Sequence, residues 1–317
     1  MTTVAILGTG KMGAAIAHRL ADSGFDLTLW NRTSTKAEEL RLGRVAATPG
    51  EAARDAEVVI SSLTNDAAIR AVYLGEGGVL KSAAGKLLID ASTAGPGVAE
   101  ELGRQAQEQG ARLLEAPVVG SVPAVASGKL LILVGGDRGD LEEARPVLEH
   151  LGEILYVGEW ASAQRLKLIA NSMLGITSAA AAELLTAGKA IGLDPNQIFS
   201  ILVRFSPGLA ARESGFLHDQ HTPTMFAVRD LVKDLNLGER IYDEQGARTP
   251  LTRLTRDLYT ETMSESADLD ISAIVRRPAQ MLASLSCPGA ARTVARLAAS
   301  LADRAVSQTS GGRRVRR

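Results

Sequence analysis

An ammonium group and an amide lie four residues apart in a long, mostly apolar stretch of the chain. The stretch covers residues 161–191, and the spacing of Lys167 and Asn171 puts both side chains on one face of a helix. An apolar setting strips a lysine of solvation, which lowers the pKa of its ammonium and lets it exchange protons near neutral pH. From this stretch alone, a lysine whose head snorkels from a buried helix to water is the alternative interpretation.

The element that carries this pair is predicted to be one continuous helix. Residues 161–191 contain no proline and few glycines, and they are rich in alanine and leucine, which favour helix. About thirty helical residues span on the order of 45 Å, more than one small domain requires. Apolar side chains spread around much of this helix and predict burial on more than one side. They are Leu166, Ile169, Met173, Leu174 and Ile176.

A glycine-rich turn follows the first predicted strand of the chain. Residues 3–7 are apolar or β-branched, the segment GTGKMG comes next, and a helical pattern begins at once. Gly8, Gly10 and Gly13 match G-x-G-x-x-G, in which the glycines permit a tight turn, close approach of a pyrophosphate, and packing of helix on strand. The helix N-terminus offers free N–H groups to the phosphates. We therefore predict a dinucleotide site here, with Lys11 and Met12 also in contact with the cofactor.

The residues at the end of the second predicted strand indicate which dinucleotide is preferred. Asn31, Arg32 and Thr33 stand where an NAD-preferring site usually has an acidic residue for the ribose 2′-hydroxyl. Arg32 can pair with a 2′-phosphate, Thr33 can donate to it, and Lys36 follows closely in the chain. The segment predicts a preference for NADP(H) over NAD(H). The alternative is that Arg32 is a solvated turn residue.

Strand and helix patterns alternate through the first 160 residues, which is typical of a mostly parallel sheet covered on both faces. Ligands of such sheets bind beyond the carboxyl ends of the strands. We expect the residues at these ends to converge on one crevice; they are Asn31, Leu63, Ser92 and Pro117. Leu63, Thr64 and Asn65, which lead into a predicted helix, are placed among the cofactor contacts.

The strand pattern stops after Gly158, and helical patterns follow. They cover residues 161–191, 195–205, 224–244, 250–264 and 271–285. The fold class is therefore α/β, with an NADP-binding Rossmann-type, doubly wound domain (1–160) joined by the long helix to an all-helical substrate and oligomerisation domain (161–276). An extension rich in Ala and Arg occupies 277–317. We predict an amphipathic helix over about 289–305 and a disordered basic tail after it.

The composition limits the classes of function. The chain has 35 Lys and Arg against 36 Asp and Glu, so no overall charge favours nucleic acid or an anionic membrane. Cys287 is the only cysteine, which excludes an intramolecular disulfide and a cysteine cluster for zinc. The four histidines show no ligand spacing, so we predict no metal. No signal peptide or membrane span is evident, so we expect a cytoplasmic protein without membrane or nucleic-acid partners.

Five separated segments together resemble the β-hydroxyacid dehydrogenase family, which includes 3-hydroxyisobutyrate dehydrogenases and glyoxylate/succinic semialdehyde reductases. The segments occur in the order found in the family, between about residues 3 and 275. They are VAILGTGKMGAAIAHRL, DASTAGP, EAPVVGSVPAVASGKL, KLIAN and FAVRDLVKDLNL. Because they match at five places, the resemblance is much more specific than the glycine loop alone.

The resemblance implies a role for each matched position. Lys167 and Asn171 correspond to the catalytic pair of the family. The implied substrate-binding residues are Ser92, Gly120, Ser121 and Lys233. The implied cofactor contacts outside the glycine loop include Thr93, Lys233 and Asp234.

Three positions depart from the family pattern. Val119 and Ser121 stand where the dehydrogenases have Ser and Gly, and Ala170 replaces the first Asn of an Asn pair. A Gly-Ser pair is more similar to the glyoxylate/succinic semialdehyde reductase branch, whose members favour NADP(H). Val119 lacks the hydroxyl that the pattern supplies, so the substrate of this chain is left open.

We therefore predict an NADP(H)-dependent enzyme that interconverts a small carboxylate-bearing hydroxyacid with its aldehyde or keto acid. Lys167 is expected to protonate the carbonyl oxygen during hydride transfer and to act as base in the reverse direction. The family resemblance implies a homodimer or homotetramer. An NADPH-dependent imine reductase is one alternative, although these enzymes usually have Asp or Tyr in place of the lysine. A non-catalytic nucleotide-binding regulatory protein is the other, and the intact Lys167 and Asn171 argue against it.

Overall fold

Strands of the first half of the chain form a single sheet in the computed structural model, which describes residues 2–277. Their bounds are β1 Thr3–Leu7, β2 Asp26–Trp30, β3 Arg44–Val45, β4 Val58–Ser61, β5 Leu87–Asp90, β6 Arg112–Glu115, β7 Val118–Val119, β8 Leu130–Gly135 and β9 Gly152–Gly158. The strand order is β3-β2-β1-β4-β5-β6-β8-β7, with β9 also beside β8. The first six strands pair in parallel, as predicted.

An antiparallel return at β8 was not predicted. This strand runs antiparallel to β6 and β7 and parallel to β9. The connection between β7 and β8 covers residues 120–129. It is shorter than the dozen or more residues that a parallel crossover needs, so the chain folds back instead.

The helices cover both faces of the sheet and then form the second half of the molecule. The α-helices are α1 Lys11–Asp22, α2 Ser34–Glu38, α3 Pro49–Arg54, α4 Asp66–Leu74, α5 Pro96–Glu108, α6 Val122–Ala126, α7 Arg138–Leu148, α8 Ser162–Ala190, α9 Pro195–Phe205, α10 Glu213–His218, α11 Val228–Glu244 and α12 Pro250–Ser266. Three 3-10 helices cover Val79–Ser82, Pro207–Arg212 and Ile271–Val275.

Alternate residues of β1 divide between two hydrophobic cores. Val4 and Ile6 belong to the core on one face of the sheet, whereas Ala5 and Leu7 belong to the core on the other face. Successive strand residues point to opposite sides, so a strand that is apolar throughout indicates a sheet covered twice. The helical domain has a third core, in which Leu231 and Tyr259 are fully buried. The predicted α/β domain, long helix and helical domain are thus confirmed.

The helix predicted over 224–244 begins later, at Val228. The preceding residues are extended because Asp270 holds them: its Oδ2 accepts hydrogen bonds from the backbone of Met225 (3.1 Å) and Phe226 (3.0 Å). Ala227 pairs with Asp270 in an isolated β-bridge. These contacts come from a residue more than forty positions away, which no local pattern reveals.

The end of the described chain also differs from the prediction. The helix predicted over 271–285 begins as a 3-10 helix, Ile271–Val275. Its continuation beyond 277, the predicted helix over 289–305, the basic tail and Cys287 lie outside the described residues.

The long helix α8 covers the predicted stretch almost to the residue, and α11 and α12 pack against it. Its burial is one-sided within a single chain, because Ile169 is 53% exposed and Met173 is 59% exposed. By length and composition alone this helix is apolar enough to cross a membrane, a property that we expected of no segment in the sequence and that a core helix also has. Lys167 and Asn171 lie on its buried side, against the rest of the protein.

Candidate active site

The glycine loop between β1 and α1 has the shape that a dinucleotide pyrophosphate requires. Gly8 has a φ of 91°, and a Cβ there would lie 2.4 Å from the carbonyl oxygen of Ser62. A Cβ on Gly13 would lie 1.9 Å from the carbonyl oxygen of Gly8. By contrast, a Cβ on Gly10 would meet no atom within 4 Å. The first and third glycines are thus needed by the fold, while the second borders open space that fits a phosphate group at the start of α1.

The amide of Asn31 joins this loop to the end of β2. Its Oδ1 accepts a hydrogen bond from the backbone N–H of Thr9 (3.1 Å), and its Nδ2 donates to the carbonyl of Thr33 (2.9 Å). Arg32 and Lys36 are exposed, and within the described part of the chain neither side chain forms a hydrogen bond or an ion pair. Asn31 therefore shapes the loop, and the cations of Arg32 and Lys36 are available to a ligand.

The other residues predicted to contact the cofactor lie at the same edge of the sheet. Thr64 and Asn65 are exposed beyond β4, and Asn65 caps α4 by accepting a hydrogen bond from Ala68 (2.9 Å). Met12 lies partly buried in the first turn of α1. Lys11 instead reaches the helical domain, where its Nζ donates to the carbonyl oxygen of Thr224 (2.8 Å).

Ser92 belongs to a buried network at the end of β5. Its Oγ donates to Oδ1 of Asp90 (2.6 Å) and accepts from the backbone N–H of Leu63 (2.9 Å). Ser61 donates to the same carboxylate oxygen (2.7 Å) and also contacts the hydroxyl of Tyr73. Burial raises the pKa of Asp90, and the bonds from Ser92 and Ser61 oppose that rise. The Ser92 hydroxyl thus joins the ends of β4 and β5. Because its only proton is donated to Asp90, it has no free proton to donate to a ligand.

Lys167 lies at one end of a chain of polar contacts between α8 and α11. Its Nζ donates to Oδ1 of Asn171 (2.8 Å), whose Nδ2 donates to Oδ2 of Asp234 (2.6 Å). Lys233 forms an ion pair with the other oxygen of Asp234 (2.9 Å) and donates to the carbonyl oxygen of Thr93 (2.8 Å). The structure thus brings together four predicted site residues from two helices and joins them to the loop after β5.

Burial is the main cause of the pKa shifts of Lys167 and Asp234. Lys167 is 9% exposed. The pKa of its ammonium is lowered to about 8, chiefly by loss of solvation; Asp234 opposes this effect and nearby Lys233 adds to it. Burial raises the pKa of Asp234, against the effect of Lys233. Lys167 is therefore not a snorkelling residue, and it can gain or lose a proton near neutral pH.

Gly120 and Ser121 lie on the connection between β7 and α6. Gly120 has a φ of 136°, and a Cβ there would lie 2.7 Å from a methyl group of Leu130, so glycine is required. Ser121 is partly exposed, and its Oγ has no hydrogen-bond partner among residues 2–277. Neither residue is hydrogen-bonded to the Lys167 group in that part of the chain. Their roles toward a substrate stay predictions.

Two residues of this region were missed in the sequence. Gln164 is fully buried and holds the loop after β5, accepting from the backbone N–H of Ala94 (3.0 Å) and donating to the carbonyl oxygen of Ser92 (3.0 Å). It lies one helical turn before Lys167 and on the same face of the helix, and this spacing could have predicted that it belongs to the site. Asp90 was overlooked although it begins the DASTAGP segment.

Two family models match the chain in succession. Residues 3–158 match the NAD binding domain of 6-phosphogluconate dehydrogenase. Residues 161–277 match a model described as the NAD-binding region of NADP-dependent 3-hydroxyisobutyrate dehydrogenase.

Similar proteins support the same assignment. The chain is 35% identical over 295 residues to 3-hydroxyisobutyrate dehydrogenase of Pseudomonas aeruginosa, covering 86% of this chain and 97% of that protein. It is 28% identical over 281 residues to the chloroplastic glyoxylate/succinic semialdehyde reductase 2 of Arabidopsis thaliana, covering 86% and 78%. The structure of 3-hydroxyisobutyrate dehydrogenase from Mycobacterium tuberculosis with L-serine superposes with a TM-score of 0.77 at 30% identity, covering 87% and 98%.

These sequence identities indicate which branch of the family is more similar to this chain. The dehydrogenase of Pseudomonas is more similar than the Arabidopsis reductase, although Ser121 pointed to the reductase branch. The two family models and the similar proteins agree on the family. The chain belongs to the 3-hydroxyisobutyrate dehydrogenase, or β-hydroxyacid dehydrogenase, family and is an NAD(P)-dependent oxidoreductase of hydroxyacids.

Proposed function

We propose that this enzyme interconverts a small hydroxyacid and its aldehyde or keto acid with NADP(H), and that Lys167 is the general acid and base. The observation that carries the proposal is the buried chain from Lys167 through Asn171 to Asp234. When bound, the nicotinamide supplies or accepts the hydride. The residues of this chain then have to hold the substrate oxygen and move its proton.

In the reductive direction the substrate oxygen gains negative charge as the hydride arrives. The ammonium of Lys167 stabilises this charge and donates a proton from Nζ to the oxygen. In the oxidative direction the neutral amine accepts the proton of the hydroxyl. A pKa of about 8 suits both tasks, since neither form of the lysine is rare near neutral pH.

Asn171 and Asp234 orient the lysine. Asn171 offers its Oδ1 to the ammonium, and its own orientation is set by the bond from Nδ2 to Asp234. Asp234 is in turn paired with Lys233, which keeps the negative charge from being left alone in a buried position. Lys167 can therefore lose a proton while the side-chain amide of Asn171 keeps its orientation, because the neutral amine still has N–H groups to donate to Oδ1.

The preference for NADP(H) rests on Arg32 and Lys36. Both are exposed, Arg32 directly after Asn31 and Lys36 in α2, and neither is paired with a carboxylate in the described chain. No acidic side chain stands at the end of β2 to repel a 2′-phosphate, since Asn31 is neutral there. A guanidinium that is free of other partners is well suited to a phosphate.

The substrate proposed is a small carboxylate-bearing aldehyde or keto acid, of the 3-hydroxyisobutyrate or the glyoxylate/succinic semialdehyde type. The relatives named above act on such compounds, as their names state. The carboxylate is assigned to Ser121 and the backbone around Gly120. Ser92 is assigned the task of shaping the loop, because its proton is already donated to Asp90.

A substrate panel tests this function. NADPH oxidation is followed by absorbance with glyoxylate, succinic semialdehyde, methylmalonate semialdehyde and a cyclic imine, for the wild type, Lys167→Ala and Lys189→Ala. We expect turnover of at least one carboxylate-bearing carbonyl compound and its loss by a factor of about 10²–10⁴ in Lys167→Ala. Lys189 is exposed near the end of the same helix, so its substitution should leave turnover unchanged.

Two results would contradict the proposal. Turnover of a carbonyl compound that survives Lys167→Ala unchanged would exclude the lysine as the acid. Turnover of the imine alone would favour the imine reductase alternative.

We further propose that the enzyme self-associates through the exposed apolar side of α8. Ile169 and Met173 lie one turn apart there, and Leu251 and Leu254 of α12 are also exposed. Large apolar side chains concentrated on neighbouring elements are typical of interfaces.

A further inference from the structure

The N-terminus of α8 lacks a capping side chain of its own. Its N-cap residue is Ala161, which is fully buried and has a left-handed φ of 74°. The first N–H groups of a helix have no partner within the helix, and buried N–H groups need one. Lys167 lies only one and a half turns further along, so whatever holds this end also holds the lysine.

The missing cap comes from the sheet. Glu115 ends β6, is 1% exposed, and its Oε1 accepts a hydrogen bond from the backbone N–H of Ala163 (2.8 Å). The next N–H along the helix, that of Gln164, also interacts with this carboxylate and lowers its pKa. A carboxylate at this position also interacts favourably with the positive end of the helix.

The sheet leaves room for this carboxylate. Gly135 of β8 pairs with Glu115 across the antiparallel ladder, and a Cβ on Gly135 would lie 2.2 Å from Oε1. The second oxygen, Oε2, is buried without a hydrogen-bond partner in the described chain. The carboxylate of Glu115 is therefore bound by the helix at Oε1 and is buried without a partner at Oε2.

We propose that Glu115 is a positioning residue for Lys167, acting as the cap of the catalytic helix from the end of β6. By holding the first turn of α8, it also holds Gln164, which clamps the loop of Ser92 and Ala94. The cap thereby sets the distance between that loop and Lys167. Glu115 touches neither the lysine nor the loop in the contacts described, so it acts through the helix.

The hydrogen bond between Glu115 and the N-terminus of α8 should depend on pH, because the carboxylate of Glu115 can be protonated. Burial raises its pKa to about 7, while the N–H groups of Ala163 and Gln164 oppose the rise. The charged groups that face it are Asp90 on β5, which raises the pKa, and Arg165 on α8, which lowers it. Arg165 is itself held by Glu100 of α5 (3.0 Å). Because protonation removes the charge that binds the helix end, the cap weakens below about pH 7.

Trp160 reports on this junction. Its Nε1 donates to the carbonyl oxygen of Leu113 on β6 (2.8 Å), and a Cβ on Gly103 would lie 2.5 Å from its ring. The other tryptophan, Trp30, lies at the end of β2. In a Trp30→Phe background, emission therefore comes from the residue next to the cap.

The test compares Glu115→Gln with the wild type from pH 6 to pH 9. Glutamine has nearly the same shape and still offers an oxygen to Ala163, but it carries no charge at any pH. We expect the emission of Trp160 to change with a midpoint near pH 7 in the Trp30→Phe protein. We expect no such change when Glu115→Gln is added, with emission at all pH values close to that of the low-pH state.

Kinetics form the second arm, which rests on the proposed function. At pH 8, Glu115→Gln should lower kcat by a factor of roughly ten, since a shift of an ångström or less in a catalytic group has effects of this size. KM for both substrates should change less than twofold. Glu142→Gln, at an exposed carboxylate on α7 paired with Arg145, is the matched control and should behave as the wild type.

Failure of the Glu115 proposal and failure of the proposed function give different results. A pH-dependent emission that persists in Glu115→Gln would overturn the proposal, as would a wild-type kcat at pH 8 in that variant. If the enzyme turns over no hydroxyacid or carbonyl compound, the proposed function fails, but the emission arm still decides whether Glu115 caps the helix.

Discussion

A single lysine in this protein has its proton affinity determined by neighbours on two helices. Lys167 is desolvated by the packing of α8, and Asp234 of α11 supports its charge through Asn171. Burial and the opposing carboxylate balance so that the ammonium titrates near neutrality. This balance is what the proposed role of Lys167 requires, in which its two protonation states act in the two directions of one reaction.

The pH dependence should have opposite signs in the two directions. Reduction needs the protonated lysine, so kcat/KM should fall as the pH rises through about 8; oxidation needs the neutral amine, so kcat/KM should rise through the same pH. Steady-state rates from pH 7.5 to pH 10 in both directions measure this, above the range in which the cap from Glu115 is expected to weaken. A common trend in both directions would show that another group controls the rate.

Arg32 should decide the choice of cofactor. With Arg32→Glu, the KM for NADPH should rise at least about tenfold, because a 2′-phosphate would face a carboxylate in place of a guanidinium. The KM for NADH should change little. Arg104→Glu, at an exposed arginine on α5, controls for the change in net charge. Equal effects on both cofactors would show that Arg32 does not contact the phosphate.

At the scale of elements, α8 joins the two halves of the site. Gln164 holds the loop after β5, Lys167 lies one turn on, and Asn171 reaches Asp234 of α11 one turn after that. The three residues share one face of the helix, and their spacing is therefore as constant as the helix itself. Its first turn rests on Ala161, which has an unfavourable backbone conformation.

Replacing Ala161 by glycine should stabilise the protein. A left-handed φ is costly for residues with a Cβ, so Ala161→Gly should raise the free energy of unfolding by up to ~1 kcal/mol. Ala187→Gly, in the exposed part of the same helix, should instead lower it by ~1 kcal/mol. Urea denaturation at pH 8 measures both. Destabilisation by the two substitutions alike would mean that Ala161 is not strained.

At the scale of the whole molecule, the site lies where the sheet meets the helical domain. Lys11 reaches the carbonyl of Thr224, Lys233 reaches that of Thr93, and Gln164 clamps Ser92 and Ala94, so three separate contacts join the halves. The opposite side of α8 is apolar and exposed. One helix thus carries the proposed catalytic residues on its buried side and the proposed surface for association on the other.

The association should depend on that surface. Sedimentation velocity of the wild type should give a dimer or a larger oligomer, and Ile169→Glu with Met173→Glu should shift it toward the monomer, because charges are costly in an apolar interface. Leu155→Glu, at an exposed leucine on β9, is the matched control. A monomeric wild type, or an oligomer unchanged in the double variant, would contradict the proposal.

Short-range patterns in the sequence predicted the alternation of the longer strands and helices, the glycine loop and the extent of α8; the short β3, β7 and α6 were not predicted. These depend on steric rules and periodicity within a few residues, as at Gly8, Gly13 and the run from 161 to 191. The spacing of Lys167 and Asn171 placed them on one helical face, and the resemblance to a family added their implied catalytic role and an implied cofactor contact at Asp234. That Asp234 is hydrogen-bonded to Asn171 came only from the structure.

The tertiary structure alone decided the remaining features. The late start of α11, the use of the Ser92 hydroxyl by Asp90, the clamp of Gln164 and the cap from Glu115 all join residues far apart in the chain. Buried polar groups must find partners wherever the fold brings them. Such contacts arise only when strands and helices are already packed, and no periodicity in the sequence encodes them.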